Sequence, residues 1–175
     1  MMRNVYLALG AREGAPETQI REGVARLWGS GLRPVAASGL WETEPIGLRP
    51  GRPVLNAALH AVTPLGPHET LEACFRAEEA AGRRRDPPEW RSLDVDILLF
   101  DDLILTTPDL TLPHPRFHLR RFNLAPLAEI AADLRHPILG STIGELLRGC
   151  EDSAWARVLD PQWGASLVER VRTIR

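Results

Sequence analysis

Ser92-Leu93-Asp94-Val95-Asp96-Ile97-Leu98-Leu99-Phe100 reads as a buried strand that begins with two carboxylates. Alternate side chains of a strand share a face, so Asp94 and Asp96 point one way and Leu93, Val95 and Ile97 the other. Neighbouring carboxylates at the start of an apolar strand repel each other and resist desolvation unless a cation joins them. Oxygen ligands of this kind suit Mg²⁺ carrying substrate phosphates. Asp-x-Asp is short, however, and taken alone it is more often an exposed strand edge.

The flanking pattern sets this strand in a fold. Upstream, Pro67 to Ala81 reads as a helix with Leu71, Cys74 and Phe75 on its inner face, stopped by Gly82. Before it, Val35 to Glu42 and Val54 to Val62 are strands around a Pro/Gly/Arg loop, Glu44 to Pro53, long enough to suggest a functional role. Pro16 to Trp28 reads as a helix with Ile20, Val24, Leu27 and Trp28 in one stripe, and Val5 to Gly10 as an opening strand. Asp101-Asp102 is a turn. The order is strand, helix, two strands, helix, strand. That is the βαββαβ or ferredoxin-like α+β pattern, a mostly antiparallel sheet with helices on one face. Helices near Leu124–Ala131 and Ile143–Leu147 follow a Pro-rich connection. Residues 1–148 are expected to form the principal domain, with 149–175 as a C-terminal extension packed on it.

Composition bounds the function. At 175 residues, 44% apolar and 25% charged, the chain is globular rather than disordered. No apolar run reaches the length of a membrane span, and the start lacks a signal-peptide core. Two cysteines, Cys74 and Cys150, make no disulfide framework, so a cytoplasmic setting is expected. A net charge of −2 argues against bulk nucleic-acid binding. All 21 basic residues are arginine, which excludes Schiff-base chemistry and the P-loop lysine.

Other residues gain meaning beside Asp94 and Asp96. Arg83, Arg84, Arg85 and Arg91 flank Pro87-Pro88; alone they complement a helix C-terminus, and near two carboxylates they suit a polyphosphate clamp. Glu78 falls on the apolar stripe of its helix, either reaching out at the sheet edge or facing a polar site. Leu112-Pro113-His114-Pro115-Arg116-Phe117-His118-Leu119-Arg120-Arg121-Phe122 is either an ordinary surface loop or a segment folded over a nucleotide. Asn56 in its strand is edge-exposed or reads a ligand.

Together these segments resemble the 6-hydroxymethyl-7,8-dihydropterin pyrophosphokinase family. The resemblance rests on Trp41-x-Thr43-x-Pro45-Ile46-Gly47, Leu55-Asn56-Ala57-Ala58, Glu78 with Gly82-Arg83-x-Arg85, Arg91-x-Leu93-Asp94-Val95-Asp96-Ile97 and Leu112-Pro113-His114-x-Arg116 to Phe122. It runs in order from about Val5 to Leu147 and implies a ferredoxin-like fold. It implies Mg-dependent transfer of pyrophosphate from ATP to the pterin hydroxymethyl group, with release of AMP. Asp94 and Asp96 would hold two Mg²⁺ ions, and Arg83 and Arg91 would assist transfer. Glu78, Arg85, Trp90, Ile97, Thr111, His114 and Arg120 would line the ATP site. Thr43, Ile46, Val54, Asn56 and Phe122 would form the pterin pocket, Asn56 reading the ring edge and Phe122 stacking on it.

The chain departs from the family pattern in places. Ala11-Arg12 stands for the usual Ser-Asn, Val54 for an aromatic residue, and Asp86 for a basic one, and a Gly-Pro-like pair between Trp90 and Arg91 is absent, which shortens the loop. Two other readings remain: a paralogue that binds nucleotide and pterin with weakened catalysis, and another Mg-dependent nucleotidyl or glycosyl transferase.

Overall fold

A computed structural model describes residues 1–46, 51–82 and 92–173 of the chain. Strand β1 (Arg3–Ala11) leads into helix α1 (Pro16–Gly29), then β2 (Arg33–Ala37), β3 (Leu40–Thr43), β4 (Val54–Thr63) and α2 (Pro67–Ala80). Next come β5 (Asp94–Phe100), the short pair β6 (Leu105–Thr106) and β7 (Thr111–Leu112), a 3₁₀ turn at Phe117–Leu119 and α3 (Arg121–Ala131). The last elements are α4 (Ile143–Arg148), β8 (Ala156–Asp160) and α5 (Trp163–Thr173). The fold is mixed α/β, with an antiparallel sheet ordered β5-β1-β4-β3-β8 and β2 also paired to β4.

Period-two alternation in β1 builds two cores. Val5, Leu7, Leu9 and Ala11 bury on one face against α1, α2 and α5, through Ile20, Val24, Ala73, Cys74 and Trp163. Tyr6 and Ala8 face the opposite side, where Leu98, Phe117, Leu124, Leu127 and Ile143 form a second cluster under α3 and α4. The expectation of helices on one face thus covers α1, α2 and α5 only. The helices after the Pro-rich connection close the other face.

Each element has local causes. Pro16 sits in the first turn of α1, with Glu17 there and Arg26 in the last turn, complementing the helix dipole. The stripe Ile20, Gly23, Val24 and Leu27 is buried, and Trp28 packs at its margin. A Cβ on Gly23 would lie 2.6 Å from Leu93 Cδ2, so the missing side chain lets α1 lie close to the residue before β5. Gly82 follows α2 at φ +78°, a left-handed stop that glycine adopts without strain.

Two details differ from the sequence reading. The strand expected over Val35–Glu42 is divided at Ser38-Gly39. Ser38 Oγ accepts the Ala58 N–H at 2.9 Å, and the Gly39 N–H donates to Glu129 Oε2 at 2.7 Å. Side-chain acceptors there replace ladder carbonyls, so pairing with β4 restarts at β3. On α2, Phe75 is 48% exposed; the buried face is Thr70, Ala73, Cys74, Ala77 and Glu78. Burial, reinforced by the charges of Glu78 and Asp96, pushes the Cys74 thiol far above its ordinary range and leaves it inert. Among the described residues no helix is long and apolar enough to cross a membrane.

The C-terminal elements join the same sheet and core. β8 pairs with β3, and Trp163 of α5 is fully buried, its Nε1–H donating to Glu17 Oε1 at 3.2 Å. Trp163→Ala is expected to cost about 3–5 kcal/mol in urea unfolding, the scale of emptying an aromatic core site. Phe75→Ser is expected to stay within about 0.5 kcal/mol, as for an ordinary surface change.

Candidate active site

The cleft lies on the α3 face of the sheet and runs across the strands. Antiparallel register puts Asp94 opposite Gly10, Gly10 opposite Asn56 and Asn56 opposite Trp41, so one row of side chains crosses β5, β1, β4 and β3. Asp96 and Ala8 begin the next row. With strands about 4.8 Å apart, Asp94 and Asn56 lie two strands, roughly 10 Å, from each other. Between them, among the described residues, the β1 positions turned toward the cleft are Gly10 and Ala8. A Cβ at Gly10 would sit 3.2 Å from Asn56 Oδ1, tight enough to push on that amide. The resulting cavity of about 680 Å³ is lined by Thr43, Ile46, Val54 and Asn56 on the β3–β4 side, and by Asp94, Asp96, His114, Arg116 and Arg120 with the β5 edge and the 114–120 loop. Phe122 and Asn123 from α3, with Glu44, Leu119 and Asp152, complete the wall.

The two ends differ in chemistry. Asn56 is buried, and its Nδ2 donates to Thr43 Oγ1 at 2.6 Å and to the Val54 carbonyl at 3.5 Å. Its Oδ1 is thereby turned toward Gly10 as an acceptor. At the other end, the His114 N–H donates to the Leu98 carbonyl at 2.9 Å, holding the loop against the outer edge of β5. His114 Nδ1 accepts the Arg116 N–H at 3.2 Å, so its ring proton is on Nε2 in the neutral form. Burial and the nearby Arg120 and Arg116 charges hold His114 below its ordinary pKa of 6.5, with Asp94 opposing them. The Arg120 guanidinium lies 5.5 Å from the Phe122 ring centre, joining the cationic end to the aromatic wall.

Nine of the residues expected from the sequence therefore line one cleft: Thr43, Ile46, Val54, Asn56, Asp94, Asp96, His114, Arg120 and Phe122. Three others stand outside its lining. Glu78 is buried on α2, where its Oε1 accepts the Val95 N–H at 2.8 Å and covers the outer edge of β5. Ile97 is buried in the core on the opposite face of the sheet, and Thr111 pairs with Thr106 in the β6–β7 ribbon. Arg83, Arg85, Trp90 and Arg91 lie outside the described residues. Sequence reasoning assigned no role to Glu44, Arg116, Asn123 or Asp152. Glu44 and Arg116 sit inside the quoted motifs, whereas nothing in the sequence around Asp152 signals its position.

The carboxylate pair suits a hard cation bound jointly with phosphate. Asp94 and Asp96 are both half-buried on one strand face, and no group of three or more metal-ligating acids, histidines or cysteines occurs among the described residues. Two carboxylates supply too few ligands for a protein-only cage, but they match Mg²⁺, which keeps waters and binds through one or two carboxylates plus phosphate oxygens.

His114 is expected to titrate below 6.5 by NMR, so its neutral form supports folding above that pH and the support fades as pH falls through the depressed value. Arg120→Ala removes a repelling cation and is expected to shift the His114 titration upward; a downward shift would contradict this electrostatic picture.

Comparison with known proteins gives this cleft a family. A family model of 7,8-dihydro-6-hydroxymethylpterin-pyrophosphokinase matches residues 6–132. The chain is 41% identical over 133 residues to the 2-amino-4-hydroxy-6-hydroxymethyldihydropteridine pyrophosphokinase of Bacillus subtilis, covering 74% of this chain and 79% of that protein. It is 38% identical over 155 residues to the protein of the same name from Pseudomonas aeruginosa, covering 86% and 93%. The crystal structure of wild-type Plasmodium falciparum HPPK-DHPS shares the fold, with a TM-score of 0.68 at 15% identity over 85% of this chain and 45% of that one. The chain belongs to the 7,8-dihydro-6-hydroxymethylpterin-pyrophosphokinase family.

Proposed function

We propose that the cleft transfers pyrophosphate from ATP to 6-hydroxymethyl-7,8-dihydropterin, releasing AMP, as a pyrophosphokinase of folate biosynthesis. The observation that carries this reading is the row Asp94–Gly10–Asn56, with a phosphate-type end and a heterocycle-type end about 10 Å apart over a floor without bulk. The pterin would lie over Gly10 with its polar edge at Asn56 Oδ1. Thr43 holds that amide in place. Val54 and Ile46 supply apolar contact, and Phe122 a ring for stacking. The triphosphate would lie toward β5, where Arg116, Arg120 and the His114 Nε2–H offer positive charge and a donor.

In this arrangement the pterin hydroxyl attacks the β-phosphorus in line, and the bond to the α-phosphate oxygen breaks as AMP leaves. The protein's main contribution is positioning: two substrates held end to end turn an encounter into an intramolecular reaction. Asp94 and Asp96 would hold two Mg²⁺ ions, whose charge offsets that of the phosphate oxygens. Arg83 and Arg91 are proposed to stabilise the moving group and Arg85 and Trp90 to contact ATP, on the strength of the family resemblance. Glu78 would act through β5, whose Val95 N–H it binds next to both carboxylates. Thr111 would contact the nucleotide from the margin of the cleft, and Ile97 would bear on it only through the β5 backbone, because its side chain is buried on the opposite face of the sheet.

The antiparallel order β5-β1-β4-β2/β3 supports a ferredoxin-like topology for residues 1–148, with 149–175 as an extension on the same domain. Reduced thiols and small-molecule substrates suit a cytoplasmic enzyme.

An AMP-release assay with ATP, Mg²⁺ and 6-hydroxymethyl-7,8-dihydropterin tests the proposal. Asp94→Ala and Asp96→Ala are each expected to lower kcat by several orders of magnitude, about 4 kcal/mol or more, with the fold intact by circular dichroism. Asn56→Ala is expected to weaken pterin binding by about 1–3 kcal/mol, with ATP affinity unchanged. Pterin and ATP binding without AMP release would instead indicate the paralogue, and release of pyrophosphate or nucleoside diphosphate another transferase.

A further inference from the structure

Residues 133–175 lie beyond the stretch matched by the family model, and from there Asp152 reaches the cleft. Both of its carboxylate oxygens are engaged by backbone N–H groups. Oδ2 accepts from Arg121 at 2.9 Å, and Oδ1 from Ala154 at 3.0 Å. The Arg121 side chain answers with two bonds, Nε to the Asp152 carbonyl at 2.9 Å and Nη2 to the Cys150 carbonyl at 3.2 Å. Arg121 opens α3, and the residue before it provides no side-chain cap. Asp152 thus satisfies an orphan N–H of the helix from 31 residues away, in the turn that carries Phe122 and Asn123 into the cleft. Three residues later the same segment grips the other wall. The Trp155 N–H donates to Glu44 Oε2 at 3.2 Å, and the Glu44 N–H donates to the Trp155 carbonyl at 3.1 Å. Glu44 lines the cleft directly after Thr43.

We propose that the segment from Cys150 to Trp155 is a strap that sets the separation of the Phe122 and Thr43–Glu44 walls, with Asp152 as its positioning residue for pterin. Asp152 acts through α3 rather than on substrate, because its two oxygens are spent on main-chain donors. The inference rests on the pterin assignment above. It predicts an effect on one substrate only: the phosphate end is built on β5 and the 114–120 loop and has no bond to the strap among those described.

Steady-state kinetics with ATP and pterin varied separately test this in the wild type, Asp152→Ala, Asp152→Asn and Asn56→Ala. Asp152→Ala is expected to raise the pterin KM about tenfold, the scale of losing a helix cap, and to leave the ATP KM within about twofold. Asp152→Asn retains an oxygen that can accept the Arg121 N–H and is expected to recover most of that loss. Hydrogen–deuterium exchange at Arg121–Asn123 is expected to quicken in Asp152→Ala and much less in Asp152→Asn. Three outcomes overturn the strap: an unchanged pterin KM in Asp152→Ala while Asn56→Ala raises it, equal damage from Ala and Asn, or unchanged exchange. A wild type that releases no AMP, or an Asn56→Ala without effect on pterin, overturns the functional reading instead, and the exchange experiment then judges the strap by itself.

Discussion

Strand β1 runs between β4 and β5, and the size difference between its two faces organises the molecule. Val5, Leu7, Leu9 and Ala11 are wholly or almost wholly buried beneath α1, α2 and α5. Burying each leucine is worth about 1.5–3 kcal/mol, so a slip of one residue in register would forfeit the core. That constraint fixes the other face as well. With the leucines inward, Ala8 and Gly10 must face α3, where they leave a hollow in the middle of the sheet between Asp94 and Asn56. The cleft is the complement of the core.

The edge of the sheet is the second controlled feature. β5 is the outermost of the described strands on its side of the sheet, and the main-chain groups of an edge strand invite other partners. Glu78 takes the Val95 N–H from one side, and the His114 N–H takes the Leu98 carbonyl. Both contacts cap the edge and lock the carboxylate-bearing turn of β5 against the loop that carries Arg116 and Arg120. The same bonds that blunt an aggregation-prone edge therefore fix the relation between acids and cations in the cleft. His114 registers that proximity in its depressed pKa, set first by burial and then by Arg120 and Arg116.

Local pattern was a good guide where one periodicity dominated. The apolar alternation of β1 and β5, the stripe of α1, and the Pro and Gly punctuation of α1 and α2 are all readable along the chain. It was a poor guide where a distant partner intervened. Nothing near Ser38 announces that its hydroxyl will take the Ala58 N–H and divide one expected strand into two. Phe75 belongs to the apolar set of α2 by composition, yet the buried face turned toward Thr70 and Glu78, because Glu78 has a main-chain donor waiting on β5.

Sequence by itself marked part of the candidate cleft: same-face carboxylates at Asp94 and Asp96, Asn56 in its strand, and the His114–Phe122 segment are local patterns, each carried by chemistry within a few residues. Tertiary structure alone decided their arrangement. Register across four strands put Asp94, Gly10, Asn56 and Trp41 in one row, and the return of the chain after α4 brought Asp152 to the start of α3 and Trp155 to Glu44. The physical reason is range. Side-chain periodicity is set by bonds between neighbours, whereas the walls of a cleft are set by hydrogen bonds between residues from 13 to 111 positions apart, for which a linear pattern holds no signal.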